Sequence, residues 1–191
     1  MLYWIAKSGL KAALAALHCT DKIERRIAMN ILNDLFQAMI RYYHGDPKRI
    51  QHFMKVHSFA KLIGECEEID AHTLFILEAT AYIHDIGIKP AEEKYGMCGG
   101  KLQEKEGPAP ARKMLSELGF EAFDIDRICY LIAHHHTYKD IDGIDYQILI
   151  EADFLVNLYE DGANRKVLVS ALEHIFKTRT GIAIYKEMFD V

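Results

Sequence analysis

The chain of 191 residues is half hydrophobic and contains only four prolines, a composition typical of a single globular domain. Its net charge of -5, with basic residues interleaved among acidic ones, argues against a nucleic-acid polymer as partner. Four scattered cysteines without a CxxC pair argue against a zinc knuckle or redox motif and favour the cytoplasm. No apolar run reaches the roughly 18 residues of a membrane span, so no membrane partner is expected.

The first two predicted helices precede the main body of the chain. Residues 1–20 loosely resemble a signal peptide, but Lys11 interrupts the apolar run and no cleavage site follows, which favours an amphipathic helix. Its apolar face would suit packing on the body or a homodimer contact. Residues 21–43 carry apolar side chains at every fourth position and form a second predicted helix, which ends before Pro47.

The next two predicted helices carry histidines at informative places. The helix over residues 47–66 has a broad apolar face that includes His52. The helix over residues 70–86 ends at His84-Asp85, and Gly87 is expected to terminate it in the left-handed conformation. Residues 88–109 contain several glycines and prolines and are predicted to be a long irregular loop.

The remaining chain is also predicted to be helical. We expect helices over residues 110–118, 121–137, 144–161, 164–177 and 180–189. The second of these ends in His134-His135-His136, and the third is nearly all apolar except for Asp153. No stretch alternates with the period of a strand, so the predicted fold class is an all-α, single-domain helical bundle.

Four residues on three predicted helices suggest a metal site. His84 and Asp85 are adjacent at a helix end, where both side chains can turn toward one divalent ion. His52 and Asp153 lie within apolar faces, and a buried unpaired carboxylate costs several kcal/mol unless a partner such as a metal ion offsets it. A single core histidine or aspartate is more often simply hydrogen-bonded, so the prediction rests on all four residues together.

The order and spacing of these residues resemble the HD superfamily of metal-dependent phosphohydrolases. The stretches that carry the likeness are residues 49–52 (RIQH), 81–87 (AYIHDIG), 130–134 (YLIAH) and 151–155 (EADFL). The resemblance implies an HD-type helical bundle with an extra N-terminal helix, in which residues 1–45 pack on a metal-binding domain of residues 46–191. It also implies a Mn, Fe, Co, Ni, Zn or Mg ion and hydrolysis of a phosphate ester, often a nucleotide.

Within that resemblance, four residues are candidates for catalysis. Asp85 would both bind the ion and orient the attacking water, and His134 would lie beside it. Arg49 and Lys89 are candidates to neutralise the phosphate, although each is equally compatible with an ordinary surface charge. Lys89 also lies one place later than the lysine of the usual family pattern.

Some family members hold a second ion through further histidines. His134 is the first candidate for a second site or a substrate contact and His135 the second, because successive residues on a helix point about 100° apart. His136 is expected to be solvated or to cap the helix end. Residues 101–107 lack the expected loop histidine; Glu104 or Glu106 would replace it, or this stretch is a solvated acidic segment. A single ion is therefore the preferred interpretation.

Two functions remain open from the sequence. The first is a phosphohydrolase that acts on a small phosphorylated metabolite or nucleotide by means of a metal-activated water. The alternative is a non-catalytic metal- or nucleotide-binding module for signalling or scaffolding. A structural ion is enclosed by protein ligands, whereas a catalytic ion keeps an open position, so the two functions predict different surroundings for the ion.

Overall fold

A computed structural model describes residues 26–191, and within that range every regular element is a helix. Helix α1 covers residues 26–42 of the described part. The others are α2 Pro47–Cys66, α3 Ala71–Ile83, α4 Ile88–Tyr95, α5 Gly100–Glu106, α6 Pro108–Glu117, α7 Ala122–Ile132, α8 Ile144–Glu160, α9 Arg165–His174 and α10 Arg179–Phe189. None of the described helices is both long enough and apolar enough to cross a membrane.

The core is formed mainly by helices α2, α3, α7 and α8, and α1 packs against it. Leu35 and Met39 of α1 are fully buried, and Phe36 contacts the ring of Phe53 in α2 with ring centroids 6.0 Å apart. The predicted second helix is thus confirmed over residues 26–42. The helix predicted for residues 1–20 lies outside the described residues, and the division of the chain at residue 45 stays a prediction.

The prediction of an irregular loop over residues 88–109 is wrong, because this stretch forms α4, α5 and the start of α6. Its glycines and prolines lie mainly at helix ends rather than inside a loop. Gly96 adopts a φ of 70° and ends α4, while Pro108 occupies the first turn of α6, where its missing N–H costs no helical hydrogen bond. Helix α6 therefore begins at Pro108 and not at residue 110 as predicted.

Gly87 does not adopt the predicted left-handed conformation. Its φ of -71° is right-handed, and residues His84–Gly87 form a 3₁₀ turn that leads directly into α4. The requirement for glycine is one of space, because a Cβ atom here would lie 2.4 Å from the carbonyl oxygen of Gln103 and 2.9 Å from the nitrogen of Gly107. Close contact with α5 and with the start of α6 thus fixes the turn that carries His84 and Asp85.

Helix α7 ends at Ile132, five residues before the predicted end at residue 137. The three histidines that follow lie in a turn. The buried Tyr146 of α8 holds this turn in place, since its hydroxyl is 2.6 Å from the carbonyl oxygen of His134 and also contacts that of Thr137. The turn therefore packs against the same helix that carries Asp153.

A nearly buried carboxylate outside the candidate site makes folding stability depend on pH. Glu78 of α3 accepts hydrogen bonds from His57 at 2.9 Å and from Lys61 at 3.0 Å. Burial alone would raise the pKa of Glu78, but these two partners hold it below its ordinary value of 4.5. Because the pKa is lower in the folded state, the stabilisation is present above the unfolded-state pKa and is lost as the pH falls through the folded-state pKa.

We therefore expect the free energy of unfolding to fall more steeply between about pH 5 and pH 3 in the native protein than in Glu78→Gln. Urea unfolding at a series of pH values measures both slopes. Glu117→Gln, at an exposed position of α6, is the control and should keep the native slope. Equal slopes in the native protein and Glu78→Gln would contradict this account of Glu78.

Candidate metal centre

Packing of α2, α3 and α8 brings the four predicted ligands together. His52 projects from α2, His84 and Asp85 from the 3₁₀ turn after α3, and Asp153 from α8. Oδ1 of Asp153 lies 3.2 Å from Nε2 of His52 and 3.5 Å from Nε2 of His84. Oδ2 of Asp85 lies 3.5 Å and 3.6 Å from the same two nitrogens. The ligand atoms of His52, His84 and Asp153 thus lie within 4.8 Å of one another, and Oδ2 of Asp85 borders this group.

Two buried imidazoles present unpaired nitrogen atoms to this site. Nδ1 of His84 is 2.9 Å from the carbonyl oxygen of Ala81, and Nδ1 of His135 is 2.7 Å from that of Ile132. A carbonyl oxygen only accepts hydrogen bonds, so each Nδ1 carries a proton, and in the neutral ring each Nε2 has a free lone pair. Within residues 26–191, neither Nε2 atom has a hydrogen-bond partner.

His52 is enclosed by carboxylates on both sides of its ring. Its Nδ1 donates to Oε2 of Glu160 at 3.2 Å, while Nε2 faces Asp153 and Asp85. A bare Nε2 and the Asp153 oxygen 3.2 Å away would repel each other, so either a proton or a metal ion has to lie between the two atoms. Burial lowers the pKa of His52, yet the hydrogen bond with Asp153 and the charge of Asp85 outweigh that effect and raise it.

The pKa shifts of His84 and Asp153 also indicate that the site favours positive charge. Burial acts to lower the pKa of His84, but the adjacent Asp85 and Asp153 carboxylates raise it to about 9. Burial alone would raise the pKa of Asp153, whereas His52 and His84 hold it well below its usual range. A divalent cation would satisfy the two carboxylates and the free nitrogens at once, and imidazole with carboxylate suits several first-row ions. The residues therefore fit a metal ion.

A second group of side chains adjoins the first through Asp85. Ligand atoms of Asp85, His135 and His136 lie within 4.8 Å of one another, and Oδ1 of Asp85 is 3.6 Å from Nε2 of His135. The nitrogens of His136 already have partners, the side-chain oxygen of Gln103 at 2.7 Å and the hydroxyl of Tyr138 at 3.3 Å. His135 thus offers a free nitrogen, whereas His136 does not.

The structure reverses the predicted order of the three histidines. His134, the first candidate, lies outside both groups: its Nδ1 is 2.7 Å from the carbonyl oxygen of Tyr130, and its ring lies on the Tyr130 ring. His136, expected to be solvated, is partly buried beside Asp85 and His135. The reason is that α7 ends at Ile132, so helical spacing does not govern where these side chains point.

Two glutamates were proposed as substitutes for the missing loop histidine. Among the described residues, neither belongs to one of the two groups of candidate ligands. Glu104 is buried rather than solvated, and it accepts hydrogen bonds from the backbone N–H of His136 at 3.1 Å and the hydroxyl of Thr137 at 2.8 Å. Glu106 pairs with Lys94 at 3.1 Å. Glu104, a residue of α5, therefore stabilises the turn after α7 that contains the three histidines.

A cleft of about 560 Å³ opens onto the site. Arg49 lines the cleft and forms ion pairs with Glu92 at 2.6 Å and Asp46 at 3.2 Å. Lys89 is not among its lining residues, because the ammonium group lies over the ring of Tyr42, 5.0 Å from its centroid. The assignment of Lys89 to phosphate binding gains no support from this contact and stays a prediction. Lys48, which no sequence pattern singled out, lines the cleft instead.

Two solved structures resemble this chain. One is a predicted HD superfamily hydrolase from an uncultured Thermotogales bacterium, 24% identical, with a TM-score of 0.54 over 87% of this chain and 84% of that chain. The chain has the HD-domain fold. YpgQ of Bacillus subtilis is 16% identical, with a TM-score of 0.60 over 84% of this chain and 87% of that chain. No protein-family model and no curated protein matches the sequence.

The fold also brings two polar side chains, which the sequence had not indicated, to the site. Asn157 donates a hydrogen bond to Oδ1 of Asp153 at 2.8 Å, and Glu160 accepts one from His52. Both lie on α8, four and seven residues after Asp153, and therefore on the same helical face. That spacing is the signal that would have identified them.

Proposed function

We propose that this protein is a metal-dependent phosphohydrolase that acts on a small phosphorylated metabolite or nucleotide. The observation that carries the proposal is the pair of buried, unpartnered Nε2 atoms of His84 and His135 beside two carboxylates at an open cleft. A buried polar atom without a partner is costly, so a ligand that completes the site explains its presence. The likeness in fold to a predicted HD superfamily hydrolase agrees with this function.

In this proposal His52, His84, Asp85 and Asp153 hold one divalent ion. Imidazole and carboxylate ligands accept Mn, Fe, Co, Ni or Zn, and Mg is a further candidate. When bound, such an ion lowers the pKa of a water ligand and so supplies hydroxide near neutral pH. His136 is already hydrogen-bonded through both nitrogens, which favours one ion over two.

The chain's own residues then bind and orient the substrate. Asp85 directs Oδ2 at His52 and His84 and Oδ1 at His135. Its carboxylate can therefore orient a water molecule that lies beside these imidazoles. Arg49 and Lys48, at the start of α2, supply positive charge along the cleft for the phosphate. We assign to His135 the role beside Asp85 that was predicted for His134.

The open cleft favours catalysis over a purely structural metal module. His52 and Asp85 both line it, so a substrate that enters would reach the candidate ligands directly. A structural ion is instead closed off by its protein ligands. The specific substrate, a homodimer and the cytoplasmic location stay predictions.

A substrate screen with controlled metal content tests the function. Chelator-treated protein would be reloaded with Mn, Co, Ni or Zn, and phosphate release would be measured with nucleoside mono- and triphosphates and generic phosphate esters. We expect about one ion per chain and turnover that disappears when the metal is removed. Full metal loading without turnover of any substrate would contradict the enzymatic proposal and favour the non-catalytic module.

A further inference from the structure

The charged side chains that line the cleft come mainly from two helix ends. Apart from Asp85, the lysine, arginine and carboxylate residues of the described lining belong to residues 46–49, at the start of α2, or to residues 160–161, at the end of α8. These two helix ends lie side by side, because Nδ1 of His52 in α2 is 3.2 Å from Oε2 of Glu160 in α8. A ligand in the cleft therefore meets charges of both signs.

The positive charge of this cleft suits one phosphate group rather than several. Arg49 is shared between Glu92 at 2.6 Å and Asp46 at 3.2 Å. Lys48 is the other lining cation, and it forms no ion pair within residues 26–191. A second or third phosphate group of a substrate would find no further lysine or arginine among the described lining residues. The cleft therefore disfavours di- and triphosphates.

The end of α8 supplies negative charge to the same cleft. Glu160 pairs with Lys55 of α2, whose ammonium group contacts Oε1. The following residue, Asp161, is exposed and has no ion-pair partner in the described part of the chain. The unpaired carbonyl groups at a helix C-terminus add a partial negative charge, and a cation placed there is favourable. A ligand with a positive group would therefore be stabilised beside Asp161.

Asp161 lies within reach of a ligand bound at the candidate metal centre. It follows Asp153 by eight residues, at the end of the same helix, which places it about 12 Å further along the axis. A phosphate group at the ion and a positive group at Asp161 would thus be separated by a spacer the size of an aromatic or sugar ring. The cleft volume of about 560 Å³ is large enough for such a molecule.

We propose that the cleft selects a phosphate monoester whose alcohol part carries an amine, and that Asp161 determines this specificity. The inference rests on the proposed function, in which the phosphate binds at the ion beside the Nε2 atoms of His84 and His135, which are buried and unpartnered in the described chain. Lys48 and Arg49 lie near the phosphate, and Asp161 with the end of α8 receives the ammonium group. A second phosphate group in that place meets carboxylates and is repelled.

Three probes of similar shape and different charge test the inference. The para-aminomethyl, para-ethyl and para-carboxymethyl benzylphosphonates carry a positive, a neutral and a negative group one ring away from the phosphonate. Their C–P bond replaces the P–O ester bond, so binding is measured without turnover. Isothermal titration calorimetry with Mn²⁺-loaded protein gives each affinity at about 0.05 M and about 0.5 M salt. The corresponding phenyl phosphates are assayed for phosphate release on the same preparation.

In the native protein we expect the aminomethyl probe to bind roughly tenfold more tightly than the carboxymethyl probe, with the ethyl probe between them and a smaller spread at high salt. Asp161→Asn should weaken binding of the aminomethyl probe about two- to fivefold, the size of one exposed ion pair, and leave the ethyl probe unchanged. The variant is expected to fold, because it removes a charge that the helix end disfavours. Asp34→Asn, at an exposed position of α1, is the matched control and should keep all three native affinities.

Equal affinities for the aminomethyl and carboxymethyl probes in the native protein would overturn the inference, as would the absence of binding by all three probes. An unchanged preference in Asp161→Asn would overturn the role of Asp161. Binding in the expected order without phosphate release from any phenyl phosphate supports the inferred ligand class and contradicts the enzymatic proposal alone.

Discussion

Asp153→Asn is expected to lower metal affinity and metal-dependent phosphate release by more than about 100-fold, since loss of an outer partner alone costs up to that much. Asp153 places one oxygen within 3.5 Å of the Nε2 atoms of both His52 and His84. The same oxygen accepts a hydrogen bond from Asn157. An asparagine keeps a neutral oxygen in this position, so the hydrogen bond from Asn157 can persist. The variant therefore loses the negative charge that would bind the ion.

Metal affinity and phosphate release would be measured on the same preparation, with circular dichroism to establish that the variant is folded. Asp34→Asn, at an exposed position of α1, removes one carboxylate far from the cleft and should behave like the native protein. Native metal affinity in Asp153→Asn would exclude Asp153 as a ligand. Native affinity for metal with no phosphate release in either protein would instead contradict the enzymatic proposal.

The all-α class and the HD-type fold were predictable because their signals are local or ordered along the chain. Apolar residues at helical spacing identified α2, α3 and α8 closely, and the order of His52, His84-Asp85 and Asp153 indicated the fold that the comparison with a solved structure confirms. These residues converge because their three helices pack together. Ligand status itself stays a prediction.

The parts that could not be predicted depend on contacts between distant segments. Gly96 and Pro108 read equally well as loop residues or as helix boundaries, and only the packing of α4 and α5 on the turn decides between them. Likewise, the end of α7 at Ile132 determines that His135, and not His134, faces Asp85. The contact of Lys89 with the ring of Tyr42 also depends on packing, and the position of Lys89 along the chain does not show it.

Gly87→Ala is expected to lower the free energy of unfolding by about 1–3 kcal/mol, the usual cost of overpacking. We also expect its activity to fall by more than the loss of folded protein explains. The new Cβ would meet backbone atoms of Gln103 and Gly107, which cannot rotate away as a side chain can. The 3₁₀ turn must then move, and with it Asp85, two residues earlier. A displacement of about 1 Å at a catalytic group can cost 100-fold in rate.

Gly99→Ala provides the matched control, because nothing lies within 4 Å of a Cβ at Gly99 and its φ of -159° is open to any residue. It should cost at most about 1 kcal/mol, through the start of α5 alone. Urea unfolding gives both free energies, and phosphate release at saturating metal gives the activities. Equal free energies of unfolding in the two variants would show that the 3₁₀ turn can move at little energetic cost. Native activity in a destabilised Gly87→Ala would show that Asp85 keeps its place without a rigid turn, so that ligand geometry is held by the packing of α2, α3 and α8 alone.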